Sequence, residues 1–339
     1  MNNIYNQFSE KIVKSFSKIP EVSAIFQFGS LSSPGISDID LIVVLDDNFR
    51  KGEKIRKLFW KLVSEKEAYK NIVLHEPYYV SKNLFEELLE HIYINEFDLQ
   101  LLYPEEYEFI FPKMSEEEKL LINSEFIYNR IIQFAISLAT KQFDLRFLLV
   151  RGHSLKHSIS LYQSDSKELL NLKSLDTIED YRKKISSGHK INIANEELTE
   201  LMLSSLNDFY ALHYLSIKKL LTNNFFYIKA NKEFSFNYAQ NIYIDFSENH
   251  CLKVKDVNLV IPMSNLLLSL IAIYGEYNSE VKKRFTIKYL YEIYNENFTK
   301  ILNRRIDFIE KYWEWNQQVF NTKVGSLGFT MFLGPGDLQ

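Results

Sequence analysis

One stretch constrains this chain more than any other: Phe26-Gln-Phe-Gly-Ser-Leu-Ser-Ser-Pro-Gly-Ile-Ser-Asp-Ile-Asp-Leu-Ile-Val-Val-Leu45. Its pattern predicts an apolar strand over Ala24 to Phe28 that ends at Gly29 and Ser30, a Ser/Pro/Gly turn, and a second apolar strand opened by Asp38 and Asp40. Gly29 lets backbone approach a ligand closely, and exposed N–H groups with the Ser30 hydroxyl make a turn suited to phosphate. Asp38 and Asp40 lie two apart, so on a strand their carboxylates project from one face and Ile39, Leu41, Val43 and Leu45 from the other. Two adjacent like charges are costly unless a cation holds them. Hard oxygen ligands suit Mg2+ bridged to substrate phosphates, and a metal pair can clamp the attacking and leaving oxygens of an in-line displacement. Taken singly, a Gly-Ser turn is a plain loop and an Asp-x-Asp pair a solvated strand end. Joined at this spacing between apolar strands, they point to a phosphate cradle facing a divalent-metal site.

Gly29-Ser30, the intervening turn, and Ser37-Asp38-Ile39-Asp40-Leu41 followed by apolar residues resemble the signature of the DNA polymerase beta-like nucleotidyltransferase superfamily. The resemblance covers the N-terminal third of the chain. It implies a nucleoside triphosphate, ATP among them, with its phosphates on Gly29 and Ser30, and Mg2+ or Mn2+ on Asp38 and Asp40. Ser37 is placed to orient those carboxylates. It also implies a third acid on a later strand, for which two residues compete. Glu76 lies in Asn71-Ile-Val-Leu-His-Glu-Pro-Tyr-Tyr-Val80, where Pro77 removes a ladder donor and suits a strand end. Asp98 fits better: Phe97, Leu99, Leu101 and Tyr103 form one face, Glu96, Asp98 and Gln100 the other. By the same resemblance Asp98 would hold the catalytic metal and help deprotonate an attacking hydroxyl.

The chain has 339 residues, more than a minimal transferase domain needs, which suits two domains. With 46% hydrophobic and 25% charged residues it can bury a core without a disordered tail. A net charge of −4 disfavours extensive nucleic-acid contact, whose affinity comes chiefly from neutralising phosphates. The basic runs at 181–184, 218–219, 282–284 and 304–305 read as solvated helix faces, although one of them could meet a triphosphate or a small polyanion. Cys251 is the single cysteine, which excludes an internal disulfide and a cysteine-rich zinc site. Met1-Asn-Asn-Ile-Tyr lacks the basic and apolar regions of a signal peptide. The longest apolar run, Leu266 to Tyr274, is interrupted by Ser269 and falls far short of the ~20 residues of a membrane span. A cytoplasmic protein without membrane contact is expected.

The expected fold class is α+β: a small mixed sheet backed by helices over 1–112, then a mainly helical region over 113–339. Ile4, Phe8, Ile12 and Phe16 predict a first helix ending near Pro20. Strands are predicted near 22–28, 39–45 and 71–80 and around Asp98, with helices over 51–66 and 84–92. Beyond Ser115 a long helix is predicted from Glu116 to about Gln163, and further helices near 167–185, 195–221 and 263–319. Short strands are expected within 225–261. No internal repeat is visible.

Two further constellations stand apart. Arg151-Gly-His-Ser-Leu-Lys-His157 sets two histidines four apart, the spacing of a shared helix face, and its Arg-to-His span faintly resembles the ribonuclease motif of HEPN domains. No glutamate lies between the histidines as in a metalloprotease helix, and Gly152 weakens the helix. Trp313-Glu-Trp315 beside Tyr312 reads as core more than as a stacking platform. The expected reaction is transfer of a nucleotide to the hydroxyl of an acceptor, taken to be a small molecule, with release of pyrophosphate. Competing expectations are toxin-like nucleotidylation of tRNA or protein, cyclic-oligonucleotide synthesis, and a scaffold that binds nucleotide without catalysis.

Overall fold

Strand β1 (Val22–Phe28) is the hub of the N-terminal half, because it is buried on both faces and paired along both edges. The computed structural model describes residues 2–29, 33, 36–91, 99–160, 172–222, 228–230, 291–293, 304, 307–308, 311–312 and 314–320. These divide into two units, one drawn from Met1–Lys113 and Arg305–Gln339, the other from Met114–Arg304. The sequence pattern places 113–339 together as the helical region; the described residues at 307–308, 311–312 and 314–320 group instead with the N-terminal unit.

In the first unit the elements run α1 (Asn2–Phe16), β1, β2 (Asp40–Leu45), α2 (Gly52–Ser64), α3 (Glu67–Lys70), β3 (Tyr78–Ser81), α4 (Lys82–His91) and β4 (Gln100–Tyr103). The sheet order is β3-β2-β1-β4, with β1 antiparallel to β2 and β4, and β2 parallel to β3. This is the small mixed sheet with helices that the alternation of patterns predicts. Side chains alternate across β1, and the two sides meet different helices. Phe26 stacks on Phe85 of α4 at 4.8 Å between centroids, with Tyr107 and Phe109 edge-on to it. Gln27, on the opposite side, accepts a 3.0 Å hydrogen bond from Ser9 of α1. The buried stripe of α1 is Tyr5, Phe8, Ile12 and Phe16, a helical period, and Phe8 contacts Phe59 of α2 and Tyr69 of α3. Only 78–81 of the predicted 71–80 strand is extended, since the residues before Pro77 form a loop.

Helical residues near 311–320 complete this unit. The Tyr312 hydroxyl donates to the Tyr79 carbonyl at 3.0 Å, and Phe320 packs on the Tyr79 ring. Trp315 is buried, and so is Tyr312, as the core reading of this segment expects; Trp313 lies outside the described residues.

In the second unit the predicted helix from 116 to 163 is three helices: α5 (Glu116–Thr140), α6 (Leu145–Gly152) and α7 (Ser154–Ser160). Lys141 adopts a left-handed conformation, φ 56°, which ends α5, and the Asp144 side chain caps the new start by accepting from the Phe147 N–H. A Ser115–Glu118 capping box opens α5. Helices α8 (Lys173–Ser186) and α9 (Asn195–Thr222) follow, and α9 packs on α5 with Phe134 and Phe209 in contact. Asp208 of α9 accepts both the backbone N–H and the hydroxyl of Ser174 at the start of α8. Strand β5 (Ile228–Ala230) lies within the predicted strand region, but its antiparallel partner β6 (Tyr291–Ile293) lies where a helix was predicted. The rest of 225–261, and 263–290, are outside the described residues. Among the described residues no helix is long and apolar enough to cross a membrane.

Gly52, the first residue of α2, is a point of close approach. A Cβ there would lie 2.4 Å from the Val319 carbonyl and 2.4 Å from the Phe320 ring. Alanine is the better helix former, so helix propensity alone predicts stabilisation by Gly52→Ala. Seating of 319–320 predicts the opposite sign, a loss of about 1–3 kcal/mol, read as a lower urea midpoint.

Candidate metal centre

Antiparallel pairing sets Phe28, the last residue of β1, opposite Asp40, the first of β2. Gly29 follows with φ 76°, a left-handed conformation, and a Cβ on it would lie 3.3 Å from Asp40 Oδ2. The glycine therefore leaves open the space beside a carboxylate oxygen. Ser30 and Asp98 lie outside the described residues.

The backbone leading to the acids is held at several points. Ile36 and Ser37 donate to the Ser33 carbonyl, the buried Tyr5 hydroxyl donates to the Ser37 carbonyl at 2.8 Å, and the Ile39 N–H donates to the Ile72 carbonyl at 2.8 Å. Asp38 thus sits between two anchored residues, half-buried like Asp40. Ser37 itself is buried.

His75, in the loop before β3, joins the two aspartates. Its Nε2 lies 2.6 Å from Asp40 Oδ1, and its Nδ1 lies 2.7 Å from the Glu76 carbonyl oxygen. Asp38, Asp40 and His75 each offer a donor atom within 4.8 Å of the others, a set able to hold a cation. The ring is buried, edge-on to Tyr78, whose own ring contacts Phe28. Burial presses the His75 pKa down. The Asp40 hydrogen bond, the charges of Asp40 and Asp38 and the Glu76 carbonyl more than offset that, raising it to about 9. Without a metal the ring is an imidazolium that donates from both nitrogens and compensates the paired carboxylates.

Glu76 faces elsewhere. Its buried carboxylate accepts Arg56 Nε at 2.8 and 3.0 Å and Trp60 Nε1 at 2.6 Å, both from α2. That engagement ties down the backbone whose carbonyl orients His75.

The sequence pattern marks Glu76 as a candidate ligand but not its neighbour His75. The available signal was a histidine just before a strand, but its meaning depends on β3 lying parallel to β2, which sets the residues preceding one strand beside those preceding the other. Spacing along the chain does not carry that pairing.

The other singled-out residues fall in the second unit. His153 ends α6 and His157 lies in α7, their rings perpendicular with centroids 5.2 Å apart. His153 Nδ1 donates to Glu179, which also accepts from Lys156. Burial and the nearby Arg182 charge hold His153 neutral, its pKa down to about 4. Arg182 departs from the solvated-face reading of the 181–184 run: it is buried and donates to the Leu149 carbonyl at 2.8 Å.

Comparison with protein-family models, with curated proteins and with solved structures returns no match.

The raised His75 pKa fixes the sign of its pH dependence. The folded metal-free protein retains a proton that the unfolded chain releases above 6.5, so this contribution to stability is complete below 6.5 and fades as pH rises through 9. Ring NMR shifts should follow a titration near 9, and Asp40→Asn should lower it, because the largest upward influence is removed while burial persists. A ring titrating at 6.5 in the unaltered protein would contradict the Asp40 contact.

Proposed function

We propose that the chain is a metal-dependent nucleotidyltransferase of the DNA polymerase beta-like type, its sheet being the core of a transferase domain drawn from Met1–Lys113 and Arg305–Gln339. One observation carries this: the left-handed Gly29 turn stands against Asp40, with Asp38 and Asp40 converging on a common point. Each side has its task. The open backbone at Gly29, with Ser30, receives the triphosphate chain, since a side chain at 29 would occupy the space beside Asp40. Asp38 and Asp40 hold Mg2+ or Mn2+, with Asp98 as the expected third acid. A cation so held would activate the acceptor hydroxyl and offset charge on the departing pyrophosphate. The anchored Ser37 and Ile39 keep the two carboxylates from relaxing apart, which leaves their repulsion available to a metal. An acceptor hydroxyl forms a bond to the α phosphorus as the bond to pyrophosphate breaks, and its proton passes to a carboxylate or to water.

The net charge of −4 favours a small acceptor over tRNA or another polyanion. Incubation with each α-labelled triphosphate and a cell extract should place label in a small molecule. Asp40→Ala should lower that transfer by about three orders of magnitude, as expected when several kcal/mol of charge stabilisation is lost. Label in RNA or protein would move the acceptor to the macromolecular class. Full activity of Asp40→Ala would overturn the transferase reading, and a protein that binds no triphosphate with any divalent metal would be a scaffold.

A further inference from the structure

We infer that His75 is itself a metal ligand, and that the Asp38, Asp40 and His75 centre takes Mn2+ ahead of Mg2+. This deepens the transferase reading and rests on its metal centre, though not on its reaction.

The Glu76 carbonyl is only an acceptor, so Nδ1 carries the N–H that faces it and Nε2 is the nitrogen directed at the aspartates. A backbone carbonyl behind an imidazole is the arrangement that fixes ring orientation and tautomer in metal-bound histidines. Here that carbonyl is steadied in turn, because the same residue's carboxylate is gripped by Arg56 and Trp60. The ring has little freedom to turn away, wedged as it is edge-on to Tyr78.

The spacing suits a shared ion. With metal–ligand bonds of about 2.1 Å, adjacent donors of an octahedral ion are about 3.0 Å apart and opposite ones about 4.2 Å. His75 Nε2 and Asp40 Oδ1 are 2.6 Å apart, and all three donor atoms fall within 4.8 Å. A shift of a few tenths of an ångström takes Nε2 and Oδ1 from hydrogen-bond spacing to the spacing of adjacent donors. The ion takes the place of the proton between Nε2 and Oδ1.

The donor types choose the metal. Mg2+ prefers oxygen and gives up its water reluctantly, whereas an imidazole nitrogen favours a first-row transition ion. Two carboxylates and one neutral imidazole bring two negative charges, which balance one dication. Three donors leave an octahedral ion further positions, and Mn2+ fills these readily with phosphate oxygens or water. Gly29 keeps the space beside Asp40 open for such an incoming group.

Mn2+ titrated into the full-length chain without nucleotide, followed by pulsed electron paramagnetic resonance, tests this. The expected result is a directly bound 14N coupling and Mn2+ affinity about tenfold or more above that of Mg2+ in competition. His75→Ala should abolish the coupling and weaken Mn2+ by at least about tenfold, the loss seen even for partners one step removed from a metal, while Mg2+ affinity stays within about twofold. Absence of the nitrogen coupling, equal Mg2+ and Mn2+ affinities, or unaltered Mn2+ binding by a folded His75→Ala protein would each overturn it. Should His75→Ala fail to fold, the coupling in the unaltered chain decides alone. Nitrogen coupling without transfer from any triphosphate would remove the transferase and leave the ligand; transfer without nitrogen coupling would do the reverse.

Discussion

Asp38, two residues before β2, and Asp40, its first residue, are like charges held close together, and the contacts around them decide what that closeness can do. Antiparallel pairing brings Asp40 beside Gly29, α1 anchors Ser37 through Tyr5, and the loop before β3 delivers His75 to Asp40. None of these contacts separates the two acids. Gly29 leaves an open space beside Asp40, His75 brings a proton to it, and Tyr5 fixes the backbone just before Asp38. An isolated pair of this kind would spread apart and stay solvated, at no cost and with no use. Holding it together creates a preference for positive charge there, which the His75 ring meets.

The support for that arrangement is layered. Sheet hydrogen bonds set Asp40 against β1, the Glu76 backbone sets the imidazole, and α2 sets Glu76. Arg56 and Trp60 are thus three contacts away from Asp40 yet help determine where the His75 nitrogen points. Helix α2 therefore helps orient the centre.

Much of this could be seen in the residues before any fold was known. The Phe26–Leu45 stretch announces both strands and the turn between them, and the alternation in β1 follows from apolar residues that must be buried on each side. The helical stripe of α1 is equally plain, because its period is a local property of the chain. His75 was not visible, since its role arises from parallel pairing with a strand over thirty residues away. The division of the 116–160 region escaped notice for another reason: apolar residues persist through the breaks, while the left-handed Lys141 and the Asp144 cap are single-residue events. Strand β6 falls in a sequence rich enough in helical spacing to hide a three-residue pairing that depends on β5.

The contact of Tyr312 and Phe320 with Tyr79 has a consequence for how the molecule comes into being. Strand β3 obtains part of its cover from residues more than 230 positions later. During synthesis the sheet and its acids emerge early, but the surface around Tyr79 and Gly52 stays uncovered until the intervening helical unit has been made. Contacts this distant along the chain are slow to form and leave apolar surface exposed in the interval. The nascent protein therefore carries its charged centre on an unfinished scaffold until the helical residues near 311–320 have been made.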